Sequence, residues 1–374
     1  MSNWATDTTP SGRVSRRDFL KVCTAAAVYM GLPASMGVQL AAAATRTQLP
    51  PVIWLSGQGC TGCTESLLRP GHPSLEHLIL NQIALDYNET LNTGAGHQAE
   101  EYKKKSIQDN LNRFILVVEG AIPTKDGGIY CQVAGQNFVD IVKETAAKAA
   151  AVIAIGSCAS WGGIPSAAPN PTGAKGVPEV LAGTTVVTIP GCPPNAYNFL
   201  STVLYFLTFN KLPELDDKGR PKFAYGRLIH ENCERRPHFD AGRFAKEFGD
   251  EGHRLGYCLY KLGCKGPMTY ANCPSILFSD AGSGAWPVGT GHPCFGCTEQ
   301  GVGFTIPLHT QAEVKQVTPA AGQAPIETKR GNGVSIGAAA LAGAAVGVAA
   351  GAGMMAAKNL GAKDRESGKP AKEA

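Results

Sequence analysis

Four short apolar runs punctuate the first half of the chain: PVIWL (51–55), FILVVEG (114–120), AAVIAIG (150–156) and TTVVTIPG (184–191). Each is β-branched or aliphatic with little polar alternation, the pattern of parallel strands buried on both faces. Stretches of helical length separate them, over 66–84, 97–111 and 136–149. A short helix or loop covers 174–182, and a further helix covers 195–209. This alternation predicts an α/β fold, a doubly wound parallel sheet of flavodoxin type. After Pro221 strand-like runs become scarce, while aromatics, glycines and cysteines accumulate. The second half is therefore expected to be irregular.

The two ends follow other patterns. SRRDFLKVCTAAAVYMGLPASMGVQLAAAA places Arg16 and Arg17 ahead of a moderately apolar stretch that ends in small residues at Ala42 to Ala44. That order is expected of a bacterial export signal of the twin-arginine type, removed from the mature protein. Residues 1–46, Cys23 among them, are accordingly left out of the expected fold. At the other end the chain is uncharged from Gly331 to Ala357. This exceeds the roughly 20 helical residues that cross a bilayer, so a transmembrane helix is expected over 334–357. Its Ala and Gly content leaves a flexible tail as the alternative. Gly343, Gly347 and Gly351 recur every fourth residue and would let a partner helix approach closely. Lys358, Lys363, Arg365, Lys369 and Lys372 follow, which by the positive-inside tendency keeps the tail, 358–374, cytoplasmic and the body outside.

Length and charge add limits. A chain of 374 residues can bury a large core and hold two domains. The net charge is +4, with both signs interspersed and no basic stripe interleaved with aromatics, which argues against nucleic acid as a partner.

The cysteines change the picture most. Cys60 and Cys63 form a C-x-x-C after the first predicted strand, Cys158 follows the third and Cys192 the fourth. In open α/β sheets the loops at the carboxyl ends of the strands share one crevice, so these four thiols can converge there as a metal-site set. Gly156, Gly162, Gly163 and Gly191 let the backbone come close to a bulky inorganic body, and Pro193 and Pro194 stiffen the last loop. Ordinary strand-to-helix turns would use some of these glycines anyway. Further on, His230 and Cys233 form H-x-x-C, Cys258 and Cys264 follow, then Cys273, then Cys294 and Cys297 as a second C-x-x-C. Metal ligation can hold a segment with so little regular structure.

Three chemistries compete for these groups. Disulfides are the default in an exported chain, but one of the 12 cysteines lies in the predicted signal, and disulfide-dense domains are usually small. Zinc suits a set of cysteines alone, or of cysteines with one histidine, but carries no electrons. Iron–sulfur ligation accounts for all the groups at once and is the preferred reading.

PPVIWLSGQGCTGCTESLLR, IGSCASWGG, IPGCPPN, GRLIHENCERRPHFDAGRFAKEFGDEG, CLYKLGCKGP and WPVGTGHPCFGC, in this order, resemble the small, electron-transferring subunit of membrane-bound nickel–iron uptake hydrogenases. The hydrogenase-2 type is the most similar, and the likeness runs from the twin-arginine signal to the C-terminal helix. It implies a proximal [4Fe–4S] cluster on Cys60, Cys63, Cys158 and Cys192. It implies a medial [3Fe–4S] cluster on Cys273, Cys294 and Cys297, with Pro287 where a fourth ligand could otherwise stand. It implies a distal [4Fe–4S] cluster on His230, Cys233, Cys258 and Cys264. Hydrogen chemistry would lie at the NiFe centre of a large-subunit partner, so no catalytic residue is expected in this chain. Electrons would leave to a membrane acceptor and the quinone pool, through a cytochrome b or through a ferredoxin-like protein with a quinone-reactive membrane subunit. A dimer of heterodimers is compatible with this.

The resemblance also organises the chain: signal 1–46, flavodoxin-like domain 47–215, iron–sulfur cluster domain 216–320, linker 321–333, then helix and tail. Imidazole in place of one thiolate makes a cluster less negative, which favours a higher potential at an exit site. Four positions stand out. Gly59 replaces a glutamate common in relatives, and Cys131 matches no ligand and reads as a structural thiol. Gly62 and Gly163 stand where oxygen-tolerant members carry extra cysteines, which implies an ordinary cubane and oxygen sensitivity. Arg235, Arg236 and His238 form either a docking surface or a solvated charge cluster. Two other classes remain: a quinone-oxidoreductase subunit with one cluster, and a disulfide-stapled, membrane-anchored binding module.

Overall fold

The structure, a computed structural model, describes residues 16–44, 49–71, 83–278, 285–301 and 306–314. The linker 321–333, the expected span 334–357 and the tail 358–374 lie outside the described residues. Among the described residues no helix is long and apolar enough to cross a membrane.

Five parallel strands make one sheet: β1 (Pro51–Ser56), β2 (Ala84–Asn88), β3 (Ile115–Glu119), β4 (Ala151–Ile155) and β5 (Val186–Ile189), in the order β2-β1-β3-β4-β5. This is the flavodoxin-type order, with its switch point between β1 and β3. Four of the strands coincide with the four apolar runs. Helices Gly96–Asp109, Phe138–Ala146 and Ala196–Phe209 fill three of the expected intervals. Over 174–182 the chain makes a two-residue strand, Ala174–Lys175, and a single helical turn, Val177–Val180.

The interval 66–84 needs correction. A short helix covers Gly62–Ser66, residues 72–82 lie outside the described residues, and Ala84 begins β2 rather than ending a helix. ALDYN lacks the apolar signature because β2 is an edge strand, half-buried over its first three residues. Its polar side chains are met by the helix Gly96–Asp109: the Tyr87 hydroxyl donates to Glu100 at 2.9 Å, and Ser106 donates to Asp86. A covered, polar edge of this kind resists pairing with another chain.

The sheet is apolar on both faces. Ile53, Leu55, Leu116 and Val118 face the helices Gly96–Asp109 and Phe138–Ala146, with Phe138 and Val142 fully buried. Val52, Trp54, Val117, Ile153 and Ile189 face the helix Ala196–Phe209, where Trp54 meets Phe199 edge-on at 5.6 Å. The same core continues through Tyr225, Ile229, Leu259, Trp286 and Val288. The irregular second half therefore packs on the sheet through one shared core.

Residues 16–44, expected to stay outside the fold, form helices Arg16–Tyr29 and Gly37–Ala44. Cys23, Ala27 and Leu40 are buried among the pair and against Leu204, Tyr205, Phe209 and Phe223. Tyr29 donates to Asn198 at 2.5 Å and lies edge-on to Phe223 at 5.5 Å.

Phe199→Ala removes the ring that joins helix, sheet and second half. It is expected to cost about 3–5 kcal/mol, read as a lowered urea midpoint of the purified protein. A loss under about 1 kcal/mol would contradict the shared core.

Candidate metal centres

The loops after β1, β4 and β5 open at the same end of the sheet, and they bring Cys60, Cys63, Cys158 and Cys192 together. Cys63 lies within electrostatic range of the other three sulfurs. Thr61 adopts a left-handed φ of 67°, which turns the chain between Cys60 and Cys63 and strains a β-branched residue by about 1–3 kcal/mol. Gly156 is required: a Cβ there would stand 2.4 Å from the Cys63 sulfur, at a φ of +84°. At Gly163, with φ +51°, a Cβ would meet the Cys158 sulfur at 2.7 Å. The glycines thus shape the space around the sulfurs and do more than turn the chain.

Glu119, the last residue of β3, belongs to none of the motifs but holds the first cysteine loop, and it is 2% exposed. Its carboxylate accepts from the Trp54 indole at 2.9 Å, the backbone N–H groups of Cys63 and Thr64 at 3.0 and 3.3 Å, and the Thr64 hydroxyl at 2.5 Å. A charged residue closing an otherwise apolar strand, just before Gly120, is its only sign in the sequence. Gly59 lies against it: a Cβ at Gly59 would be 3.8 Å from Glu119 Cγ. An acidic group therefore sits beside this loop although Gly59 supplies none.

Cys273, Cys294 and Cys297 line a second cavity of about 300 Å³, with Cys192, Trp286 and Pro287 in its wall. His230, Cys233, Cys258 and Cys264 line a third, narrower cavity. The three sites are contiguous. The Cys192 N–H donates to the Cys297 sulfur, and the Ser157 hydroxyl donates to the Cys297 carbonyl, joining the first to the second. The Cys294 N–H donates to the Cys264 sulfur and the Lys265 N–H to the Cys294 carbonyl at 2.7 Å, joining the second to the third.

The electrostatics ask for a cation. Burial pushes the thiols of Cys158, Cys233 and Cys297 up to about 11 and that of Cys258 to about 12. Cys63, Cys264, Cys273 and Cys294 are also raised, chiefly by burial. Backbone N–H groups of Ile164, Arg235 and Tyr260 donate to the sulfurs of Cys158, Cys233 and Cys258, which offsets this only in part. His230 is 6% exposed, and its Nε2 is buried with no hydrogen-bond partner. Burial, then Arg236, lowers its pKa to about 4, so the ring is neutral and free to ligate. An orphaned imidazole nitrogen among three thiols is the donor set of a metal body. All 12 cysteines are free of disulfides. Among the described residues no three His, Cys, Asp or Glu side chains close on a point that one ion could occupy, so these sets frame cavities.

The basic group after Cys233 turns inward. Arg235 donates to the carbonyls of Val288 and Tyr257, both at 3.0 Å. Arg236 pairs with Asp240 at 2.8 Å, and His238 accepts from Arg243 at 3.1 Å. Cys131 is half-buried at the margin of the sheet core, away from the three sites.

Thiol-lined cavities in series on a flavodoxin-type scaffold define a class, the iron–sulfur subunits of oxidoreductases. Residues 225–308 match the family of C-terminal regions of the NiFe/NiFeSe hydrogenase small subunit, and residues 60–206 match NADH ubiquinone oxidoreductase, 20 Kd subunit. The chain is 54% identical to the hydrogenase-2 small chain of Escherichia coli (strain K12), over 94% of this chain and 95% of that one. It is 49% identical to periplasmic [NiFe] hydrogenase small subunit 1 of Nitratidesulfovibrio vulgaris, over 76% and 90%. The structure of the reduced, active Ni-Fe-Se hydrogenase from Desulfomicrobium baculatum is similar, with a TM-score of 0.65 at 33% identity, covering 71% of this chain and all of that one. The chain belongs to the family of nickel–iron hydrogenase small subunits. Members are electron-transfer subunits that carry iron–sulfur clusters and pair with the large, NiFe-bearing subunit.

Glu119→Gln places an amide where four donors converge. It is expected to destabilise the protein by about 1.5–3 kcal/mol and to lower iron retention at the first site, measured by denaturation and iron analysis. Unchanged stability and iron content would remove Glu119 from the site.

Proposed function

We propose that this chain conducts electrons from hydrogen oxidation at the partner's NiFe centre to a membrane acceptor and the quinone pool. The ligands are those given above: Cys60, Cys63, Cys158 and Cys192 for a proximal [4Fe–4S] cluster, Cys273, Cys294 and Cys297 for a medial [3Fe–4S] cluster, and His230, Cys233, Cys258 and Cys264 for a distal [4Fe–4S] cluster. Clusters so bound accept and release single electrons. The observation that carries the reading is the continuity of the three sites, each joined to the next by a backbone hydrogen bond onto a cysteine sulfur.

The protein's own residues do the rest. Backbone amides offset negative charge on the sulfurs. Pro287, in the wall of the second cavity, offers no fourth donor there, in keeping with three iron atoms. Cys60 and Cys192 are exposed, so the proximal site needs a cover, which the large subunit would supply while shortening the path from its metal centre. His230 contributes a neutral donor at the far site, favouring a less negative exit. A quinone-oxidoreductase subunit with one cluster would leave the buried His230 nitrogen and six cysteines without a task.

The address follows the sequence patterns. Export by the twin-arginine route would precede removal of residues 1–46, and the helix over 334–357 would anchor the protein to the periplasmic face of the inner membrane. The acceptor there is a cytochrome b, or a ferredoxin-like protein with a quinone-reactive membrane subunit. A dimer of heterodimers fits this arrangement.

Protein purified without oxygen is expected to hold about 11 irons per chain with matching acid-labile sulfide, and to give the EPR signal of an oxidised three-iron cluster. About four irons would support the one-cluster relative instead. His230→Cys should keep its iron and titrate at a more negative distal potential, whereas His230→Ala should lose distal iron. With glycine at both 62 and 163, the hydrogen-oxidation current of an enzyme film is expected to collapse under oxygen. A sustained current would overturn the ordinary-cubane reading.

A further inference from the structure

Lys265 follows the distal ligand Cys264 and is completely buried, at 0% exposure. Few lysines are found in such a place without a carboxylate. Among the described residues Lys265 forms no ion pair. Its Nζ donates to the Thr310 carbonyl and, at 3.0 Å, to the Thr310 hydroxyl oxygen. That hydroxyl spends its own proton on the Pro307 carbonyl at 2.7 Å, so it faces Nζ as an acceptor, the environment of an ammonium. Close packing holds the strap in place: Gly263 lies directly under His309, and the Tyr260 hydroxyl donates to the Ala312 carbonyl at 2.8 Å.

The negative charge that balances this cation lies elsewhere. Burial disfavours the ammonium, and two sulfurs within electrostatic range favour it, Cys264 of the distal set and Cys294 of the medial set. Its own N–H donates to the Cys294 carbonyl, which fixes the lysine at the junction of the two sites.

We infer that Lys265 is a shared electrostatic positioning residue, a buried cation that raises the reduction potentials of the medial and distal clusters together. This rests on the cluster assignment proposed above. An added electron makes each cluster more negative, and a fixed positive charge between the two favours both reduced forms. One residue then acts on both of the last two couples of the relay.

The test is an EPR-monitored redox titration of the two-subunit enzyme, with iron and sulfide measured on every sample. Lys265→Met should move the medial and distal couples to more negative potential by at least a tenfold change in reduced-to-oxidised ratio, 59 mV for a one-electron couple. The proximal couple should stay in place. Thr310→Asp, at an exposed position, sets a carboxylate beside Nζ and should shift the same two couples in the same direction without opening the core. Lys265→Arg should restore both. If Lys265→Met loses iron, the Thr310→Asp titration decides. A shift confined to one of the two couples, or absent from both in iron-replete protein, overturns the inference. Wild-type enzyme lacking the three-iron signal would instead overturn the cluster assignment, a failure visible before any variant is made.

Discussion

The burial of sulfur is the constraint on which this molecule depends. Eleven donors, ten thiols and an imidazole, are gathered at three sites, all but the exposed Cys60 and Cys192 at least partly withdrawn from water, and most of the thiols resist ionisation. Left alone, such a set would oppose folding, since its ionised form is costly and its neutral form leaves donors and an imidazole nitrogen unsatisfied. Iron bound as proposed would reverse the sign, because a cationic body favours thiolate and would give His230 Nε2 a partner. The irregular second half is the clearest consequence. It has few regular elements, and the core it shares with the sheet, joined by the proposed ligation, would replace the missing backbone ladders.

The sheet contributes position. Parallel strands put all their carboxyl ends on one side, so residues as distant as Cys60 and Cys192 meet without any long loop. The same end receives the second half, through the contacts of Ser157 and Cys192 with Cys297. Proximity between successive sites is therefore set by backbone hydrogen bonds, which tolerate little drift. That precision matters for a conductor, in which the spacing of the carriers governs the rate of transfer.

Much of this was legible in the sequence. Four of the five strands were visible as apolar runs because they are buried on both faces, β5 included although it lies at the sheet's edge, and strand ends so located are where Cys60, Cys63, Cys158 and Cys192 stand. What escaped follows a physical pattern. The edge strand β2 is polar, stabilised by Glu100 and Ser106 from a neighbouring helix, and no local periodicity reports such a partner. Glu119, Ser157 and Lys265 act through contacts 45 to 140 residues away in sequence. A charged residue in an apolar context marks only that a partner exists. The docking of residues 16–44 escaped for the same reason, since Asn198 and Phe223, which meet Tyr29, are remote in the chain.

The three sites also differ in a way that follows from their neighbours. The first has two exposed sulfurs and a buried carboxylate, Glu119, close to Cys63. The third has Glu234 and Arg235, opposite in sign, beside Cys233, and an imidazole among its three thiols. The row thus has a buried carboxylate at its first site and a neutral ring donor at its third. With clusters bound as proposed, that difference would lower the potential of the first carrier relative to the last.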